Sequence, residues 1–345
     1  MRRPKVDIPD CLEYPVINQV AEGIHRPFWS VMIPTYNCAK YLERTLKSVL
    51  QQDPGPAEMQ IEVVDDCSTK DDPEAVVENL AKGRVSFCRQ ARNVGAPASF
   101  TTCIQRSKGY WVHVLHGDDV VLPWFYAAYK RFIQEHDRLA MVCCRAVSID
   151  ENDEWMNIIC AAPDWDSSGV LRNVDRVLHI DNFICAPTAV VSREAYVKAG
   201  GFLSCLAYTA DWEMWMRVAG VGPVGYIHRP CLLYRIHSGS DTSRLMLTAK
   251  NVEDTVRAFE IGVRRLPPEA QEELRATALR LYSNYALGYR ATLHAKRQHR
   301  AALHHACWAL RLSPSTRNLL RVAKSAARYV SQQVLWSGRN GSDRS

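Results

Sequence analysis

Between residues 28 and 145 the chain alternates short, near-continuous apolar runs with amphipathic stretches, and no other feature limits its fold as strongly. Ser30–Ile33 predicts a strand stopped by Pro34, and Ala39–Gln51 shows helical spacing at Tyr41, Leu42, Thr45, Leu46 and Val49. Ile61–Val64 predicts a second strand. Pro73–Ala81 predicts a helix opened by proline, where the missing N–H costs no hydrogen bond. Arg84–Cys88, Ala96–Ser107, Trp111–Leu115, Pro123–Glu135 and Leu139–Cys144 continue the alternation. Strands apolar on both faces must be covered on both faces, so the reading is α/β, a mostly parallel sheet sandwiched by helices. Such sheets bind ligands outside the carboxyl ends of their strands. That rule points to Pro34–Asn37, Asp65–Ser68, Arg92–Gly95 and His116–Asp119.

The rest of the chain is less regular. Residues 1–27 lack periodicity and read as an extension. Trp155–Cys160, Pro187–Val191 and Gly225–Tyr234 read as looser strands, Asp211–Val218 as a helix, and His228–Ser243 as strand and polar loop. From Val252 the pattern is helical over Val252–Arg264, Glu269–His294, His299–Leu312 and Ser315–Leu335. The expected organisation is an extension (1–27), a sheet domain (28–245), a helical region (246–336) and a disordered tail (337–345).

Composition removes several classes of function. With 47% hydrophobic and 23% charged residues the chain is globular rather than disordered or fibrous. Twelve cysteines without any C-x-x-C spacing read as reduced, buried thiols rather than a disulfide framework. The net charge of +6 is unevenly spread: residues 290–345 hold eleven Lys/Arg against the single acid Asp343, a net +10, which leaves −4 for residues 1–289. An acidic body argues against nucleic acid as a ligand. No apolar run reaches the roughly 18 residues of a membrane span, so the expected location is cytoplasmic.

Acidic clusters stand at three of the predicted element ends: Asp65-Asp66, Asp118-Asp119, and Asp211 with Glu213. Adjacent carboxylates repel one another and are held at strand ends by a cation, a sugar hydroxyl or a base N–H. The blocks Ser30-Val31-Met32-Ile33-Pro34-Thr35-Tyr36-Asn37, Val63-Val64-Asp65-Asp66-Cys67-Ser68-Thr69, Asn93-Val94-Gly95, Lys108-Gly109-Tyr110-Trp111 and Leu115-His116-Gly117-Asp118-Asp119 resemble, in order and spacing, the family 2 glycosyltransferases of GT-A fold. Asp211–Arg217 resembles the family's later acidic block, and Tyr234-Arg235-Ile236-His237 its closing segment.

The resemblance implies an inverting, metal-dependent transfer of sugar from a nucleotide-diphosphate donor to an acceptor hydroxyl. It implies that Pro34, Thr35, Tyr36 and Asp66 hold the nucleoside, with uracil, thymine or guanine favoured because a carboxylate accepts their N–H. Asn93 would approach the diphosphate, with Gly95 shaping its turn and Arg92 a weaker candidate; Asp118 would contact ribose or metal. Asp119 and His237 would ligate Mn²⁺ or Mg²⁺, His116 standing where many relatives have a further Asp. Arg235 would assist the diphosphate as a fixed cation. Asp211 would remove the acceptor proton and Glu213 orient the acceptor, while Trp212 and Trp215 are either core or a sugar-stacking surface.

On a helical wheel Arg317, Arg321, Lys324 and Arg328 share one face and Leu319, Val322, Ala326 and Val330 the opposite one, so residues 315–335 suit either packing on neighbouring helices or an anionic membrane surface. Membrane location fits a saccharide or lipid-linked acceptor in cell-surface polysaccharide or glycoconjugate synthesis. The competing readings are a nucleotidyltransferase, which needs a basic Gly-rich loop that Pro34-Thr35-Tyr36-Asn37 does not supply, and a catalytically silent protein of the same fold.

Overall fold

The computed structural model describes residues 6–8, 12–160, 162 and 165–341. The chain divides into two compact units, one of residues 11–237 and one built mainly of the residues from 238 onward. Residues 11–27, an extension by sequence, belong to the first of these.

The first unit is built on one sheet. Its strands are β1 (Trp29–Thr35), β2 (Met59–Asp65), β3 (Ser86–Arg89), β4 (Trp111–Val114), β5 (Val120–Val121), β6 (Met141–Ile149), β7 (Trp155–Ile159), β8 (Gly169–Val170), β9 (Val190–Ser192) and β10 (Val224–Arg235). The order is β3-β2-β1-β4-β9-β6-β10-β5, with β7 on β6 and β8 on β10. Strands β3, β2, β1 and β4 are parallel, as the alternation predicts. Beyond β4 the sheet is mixed: the three-residue β9 enters antiparallel between β4 and β6, and β5, β7 and β8 also pair antiparallel. Those short strands are too brief to show a period of their own, so the sequence pattern cannot orient them.

The helices of this unit are α1 (Ala39–Leu50), α2 (Pro73–Ala81), α3 (Ala96–Arg106), α4 (Phe125–Glu135), α5 (Val174–Leu178), α6 (Arg193–Ala199) and α7 (Ala210–Val221). Leu42, Leu46 and Val49 of α1 and Phe125, Tyr129 and Phe132 of α4 join Val31, Ile33, Ile61 and Val63 in one core cluster. Burial of such apolar side chains, worth about 1.5–3 kcal/mol each, fixes helices on the sheet.

Strand β1 runs two residues past the Ile33 end read from the sequence, to Thr35. In a parallel ladder the N–H and C=O of one residue face the same neighbour, and the Pro34 carbonyl accepts Gly117 N–H at 3.1 Å, where β4 has already ended. The missing N–H therefore costs no ladder bond.

The second unit is helical: α8 (Asp241–Met246), α9 (Lys250–Val263), α10 (Pro268–Ala295), α11 (His299–Leu312) and α12 (Thr316–Gly341). Helix α8, read as polar loop, is capped by Ser240, whose hydroxyl accepts Ser243 N–H. Helix α12 continues through residues 337–341 of the expected tail, and residues 342–345 lie outside those described.

Candidate active site

The ends of β1, β2, β4 and β10 meet at the carboxyl edge of the sheet. At β1, Thr35 Oγ1 lies 2.8 Å from Cys38 Sγ. Asn37, in the left-handed region at φ 51°, donates its N–H to Ser68 Oγ at 2.8 Å and accepts the Thr69 and Lys70 amides on its side-chain oxygen at 2.9 and 3.0 Å. These bonds tie the turn after β1 to the loop after β2 and leave Tyr36 45% exposed, an accessible aromatic face. Burial and the nearby Asp118 push the Cys38 thiol up to about 12, so it stays protonated.

At β2 the two carboxylates do different work. Asp65 accepts the Ser68 amide and hydroxyl and Arg89 Nε at 2.8 Å. Asp66 donates its N–H to Thr35 O, and its buried carboxylate accepts Val94 N–H at 2.8 Å, Gly95 N–H at 2.9 Å and Gln90 Nε2 at 2.9 Å. Asn93 Nδ2 donates to Asp66 O at 3.3 Å. The 93–95 turn is thus folded around Asp66, and Gly95 takes a φ of +85° that other residues resist. Pro34, Thr35, Tyr36, Asp66 and Asn93 lie along this one edge.

After β4 the chain turns through His116–Asp119, anchored by Thr45 Oγ1, which donates to Asp119 O at 2.7 Å. Strand β5, paired with Leu232–Leu233, brings the end of β10 over this turn. There Arg235 N–H donates to Asp119 Oδ1 at 2.8 Å, Arg235 Nε to Asp118 O at 2.9 Å, and Arg235 pairs with Asp153. Arg235 is thereby a clamp on the 118–119 backbone, lying over the Tyr41 ring. His237 Nε2 sits 3.0 Å from Asp118 Oδ2, its ring tilted against Tyr41.

Asp119 is fully buried and its Oδ2 has no hydrogen-bond partner; His116 Nε2 is in the same condition. His116, Asp118 and Asp119 present ligand atoms within 4.8 Å of one another, and His116 stacks on Phe100. Burial, then the Asp118 charge, raises the Asp119 carboxyl well above its usual range. Burial works the same way on Asp118, yet the His237 hydrogen bond and the two imidazoles hold it below the usual value. Buried polar atoms without partners are rare, and two side by side with an acidic neighbour fit a divalent cation.

Asp211 lies in the first turn of α7 and accepts Asn182 Nδ2 at 3.3 Å. Cys185 lies near both Asp119 and Asp211 and its thiol is in hydrogen-bond contact with the free thiol of Cys160, which relates α7 to the 116–119 turn. The sequence assigns no place in the site to Asn182, Cys160, Cys185, Tyr41 or Phe100, because none of them belongs to a motif there.

Glu213 is not available to orient an acceptor. Its carboxylate, at 0% exposure, accepts Arg217 Nε at 3.1 and 3.0 Å and Nη2 at 2.9 Å. Arg217 also donates to Ala199 O and Gly201 O. Trp212 and Trp215 are 2% exposed and belong to the core rather than to a sugar-stacking surface. Helix geometry explains the error, because Asp211 and Glu213 differ by 200° around α7.

The family model described as Glycosyl transferase family 2 matches residues 30–200. The chain is a family 2 glycosyltransferase. Chondroitin synthase of Escherichia coli is 26% identical to this glycosyltransferase over 218 residues, 63% of this chain but 30% of that one. The crystal structure of TarS 1-349 of Staphylococcus aureus in complex with UDP-GlcNAc overlaps the glycosyltransferase with a TM-score of 0.60 and 17% identity, covering 91% and 92% of the two chains. A mannosyltransferase of Pyrobaculum calidifontis in complex with GDP-Man and Mn2+ gives 0.53 and 18%, covering 91% and 83%. At these identities the structural likeness is one of fold, GT-A. Membership of the family answers the nucleotidyltransferase and silent-protein alternatives: the glycosyltransferase is an enzyme of glycosyl transfer. Among the described residues no helix is long and apolar enough to cross a membrane.

Proposed function

We propose that the glycosyltransferase moves a sugar, with inversion and with a divalent cation, from a nucleotide-diphosphate donor to an acceptor hydroxyl in cell-surface polysaccharide or glycoconjugate assembly. The observation that carries this reading is the buried Asp119 carboxylate, whose Oδ2 has no hydrogen bond and lies 3.7 Å from His116 Nδ1, with His116 Nε2 likewise buried and without a hydrogen bond. When bound, Mn²⁺ or Mg²⁺ neutralises charge on the departing diphosphate. Asp119 and His237 would hold it, with Asp118 and His116 alongside. The Arg235 backbone bond fixes one Asp119 oxygen, which aims the other.

Thr35 and Tyr36 receive the nucleoside, the exposed Tyr36 ring offering a face for base or ribose. Asp66 accepts a base N–H while holding the 93–95 turn against the nucleotide. Asp211, at the amino end of α7 and oriented by Asn182, takes the proton from the attacking hydroxyl. Attack from the face opposite the leaving diphosphate inverts the anomeric centre. The donors in the two related crystal structures, UDP-GlcNAc and GDP-Man, support a nucleotide sugar, and the Mn²⁺ in the second supports the cation. A saccharide or lipid-linked saccharide is the acceptor class proposed.

The test is thermal stabilisation by UDP, dTDP and GDP, with and without Mn²⁺, on the wild type, Asp119→Ala and Asp211→Asn. One nucleotide should stabilise the wild type only with Mn²⁺, by about 2.7 kcal/mol at a hundred times its Kd, and Asp119→Ala should abolish this. Asp211→Asn should keep that stabilisation yet lower sugar transfer about 10²–10⁴-fold. Stabilisation indifferent to Mn²⁺, or undiminished transfer by Asp211→Asn, refutes the respective assignment.

A further inference from the structure

Helix α12 turns much of its apolar surface outward. Among its described residues the fully buried side chains are polar, with Val322, Ala326 and Tyr329 half-buried beside them: Asn318 donates to Ser313 O at 2.8 Å, and Ser325, at 0% exposure, pairs with His294 Nε2 at 3.0 Å. Outward it presents Leu319, Leu320 and Val330, 57%, 62% and 58% exposed, with exposed Ala323 and Ala327 between them. Arg317, Lys324 and Arg328, also exposed, line one flank of that apolar stripe. A helix buries its apolar surface when water is the only solvent it meets, so a second apolar stripe left outward calls for an apolar occupant.

Charge identifies it. Residues 290–341 contain no Asp or Glu, so no carboxylate within this stretch balances its ten Lys/Arg. At the seam of α10 and α12, Arg290 Nε is buried without a hydrogen-bond partner. Burial and the neighbouring Arg321 and Arg328 charges all act against the Arg290 cation. Exposed cations gathered without acids beside exposed leucines match a surface whose groups are anionic and whose interior is hydrocarbon.

We propose that the outward face of α12 docks on an anionic lipid bilayer, with Leu319, Leu320 and Val330 entering the headgroup–acyl boundary and Arg317, Lys324 and Arg328 meeting lipid phosphates. The helical unit then holds the enzyme at a membrane surface without spanning it. The inference does not depend on donor or metal.

The experiment is co-flotation of the full chain with vesicles of equimolar phosphatidylglycerol and phosphatidylcholine, against vesicles of phosphatidylcholine alone. The wild type should float with the anionic vesicles and be released by salt. Replacing Arg317, Lys324 and Arg328 together by Gln should weaken partition about 100-fold, at roughly fivefold per charge. Leu319→Ser with Leu320→Ser should weaken it about tenfold or more. Both variants alter exposed positions, and unchanged far-ultraviolet circular dichroism will show that α12 is intact. A wild type that stays in solution with anionic vesicles overturns the proposal. So does binding that the leucine variant leaves untouched, which would mark a site for free anions or polyanions instead.

Discussion

Replacing Arg217 by Met separates two incompatible roles for its neighbour Glu213. In the structure the guanidinium makes three hydrogen bonds of 2.9–3.1 Å to the Glu213 carboxylate and further bonds to Ala199 O and Gly201 O. Both side chains are nearly inaccessible, at 6% and 0%. Removing one member of such a pair leaves a buried charge without its counter-ion, which costs about 3–5 kcal/mol. With a urea slope of about 2–3 kcal/mol/M for a unit of this size, the midpoint should fall by about 1–2.5 M. Fluorescence of Trp212 and Trp215, on the same helix, follows that loss. Arg217→Met combined with Glu213→Gln, which also removes the stranded charge, should unfold at a higher urea concentration than Arg217→Met alone. If Arg217→Met leaves the midpoint within about 0.3 M of wild type while raising the acceptor KM, Glu213 faces the acceptor and the packing argument is wrong.

Two further outcomes follow from the same geometry. A Cβ on Gly117 would lie 3.1 Å from Cys38 Sγ and 3.2 Å from Pro34 O and Thr35 Oγ1, so Gly117→Ala should cost about 1–3 kcal/mol and weaken nucleotide stabilisation in a thermal-shift assay. Gly169→Ala, which meets nothing within 4 Å, should do neither. His113 is fully buried between Tyr126 OH and Pro187 O, and burial lowers its pKa from 6.5 to about 4. Above pH 6.5 both folded and unfolded states hold it neutral. As pH falls from 6.5 towards 4 only the unfolded chain takes up this proton, so the contribution of His113 to stability should drop by about 3 kcal/mol across that window and level off below it. Urea midpoints measured from pH 7 to pH 4 check this, and an NMR titration placing the His113 pKa near 6.5 contradicts it.

The parallel part of the sheet was legible because buried strands are apolar on both faces and their helices carry period 3.6, so β1 to β4 and α1 to α4 emerge within a few residues of their bounds, while the two-residue β5 does not. The edge residues Thr35, Tyr36, Asp66 and Asp119 were legible because strand ends are where such sheets place ligands. What escaped was whatever depends on partners distant in sequence. β9 is three residues long, and only its neighbours β4 and β6 tell it which way to run. Asp66 looks like an open carboxylate until the 93–95 amides are seen to fold onto it.

Residue order alone determined the alternation, the turn chemistry at the strand ends and the one-sided charge of the last fifty-six residues, because each is set by neighbours along the chain. Only the tertiary structure decided that Glu213 belongs to Arg217, that Asp119 keeps one oxygen without a hydrogen bond, and that α12 buries Asn318 and Ser325 while turning its leucines outward. Those are outcomes of burial and charge pairing, and the dielectric and the partners a side chain meets are properties of the packed molecule rather than of its sequence position.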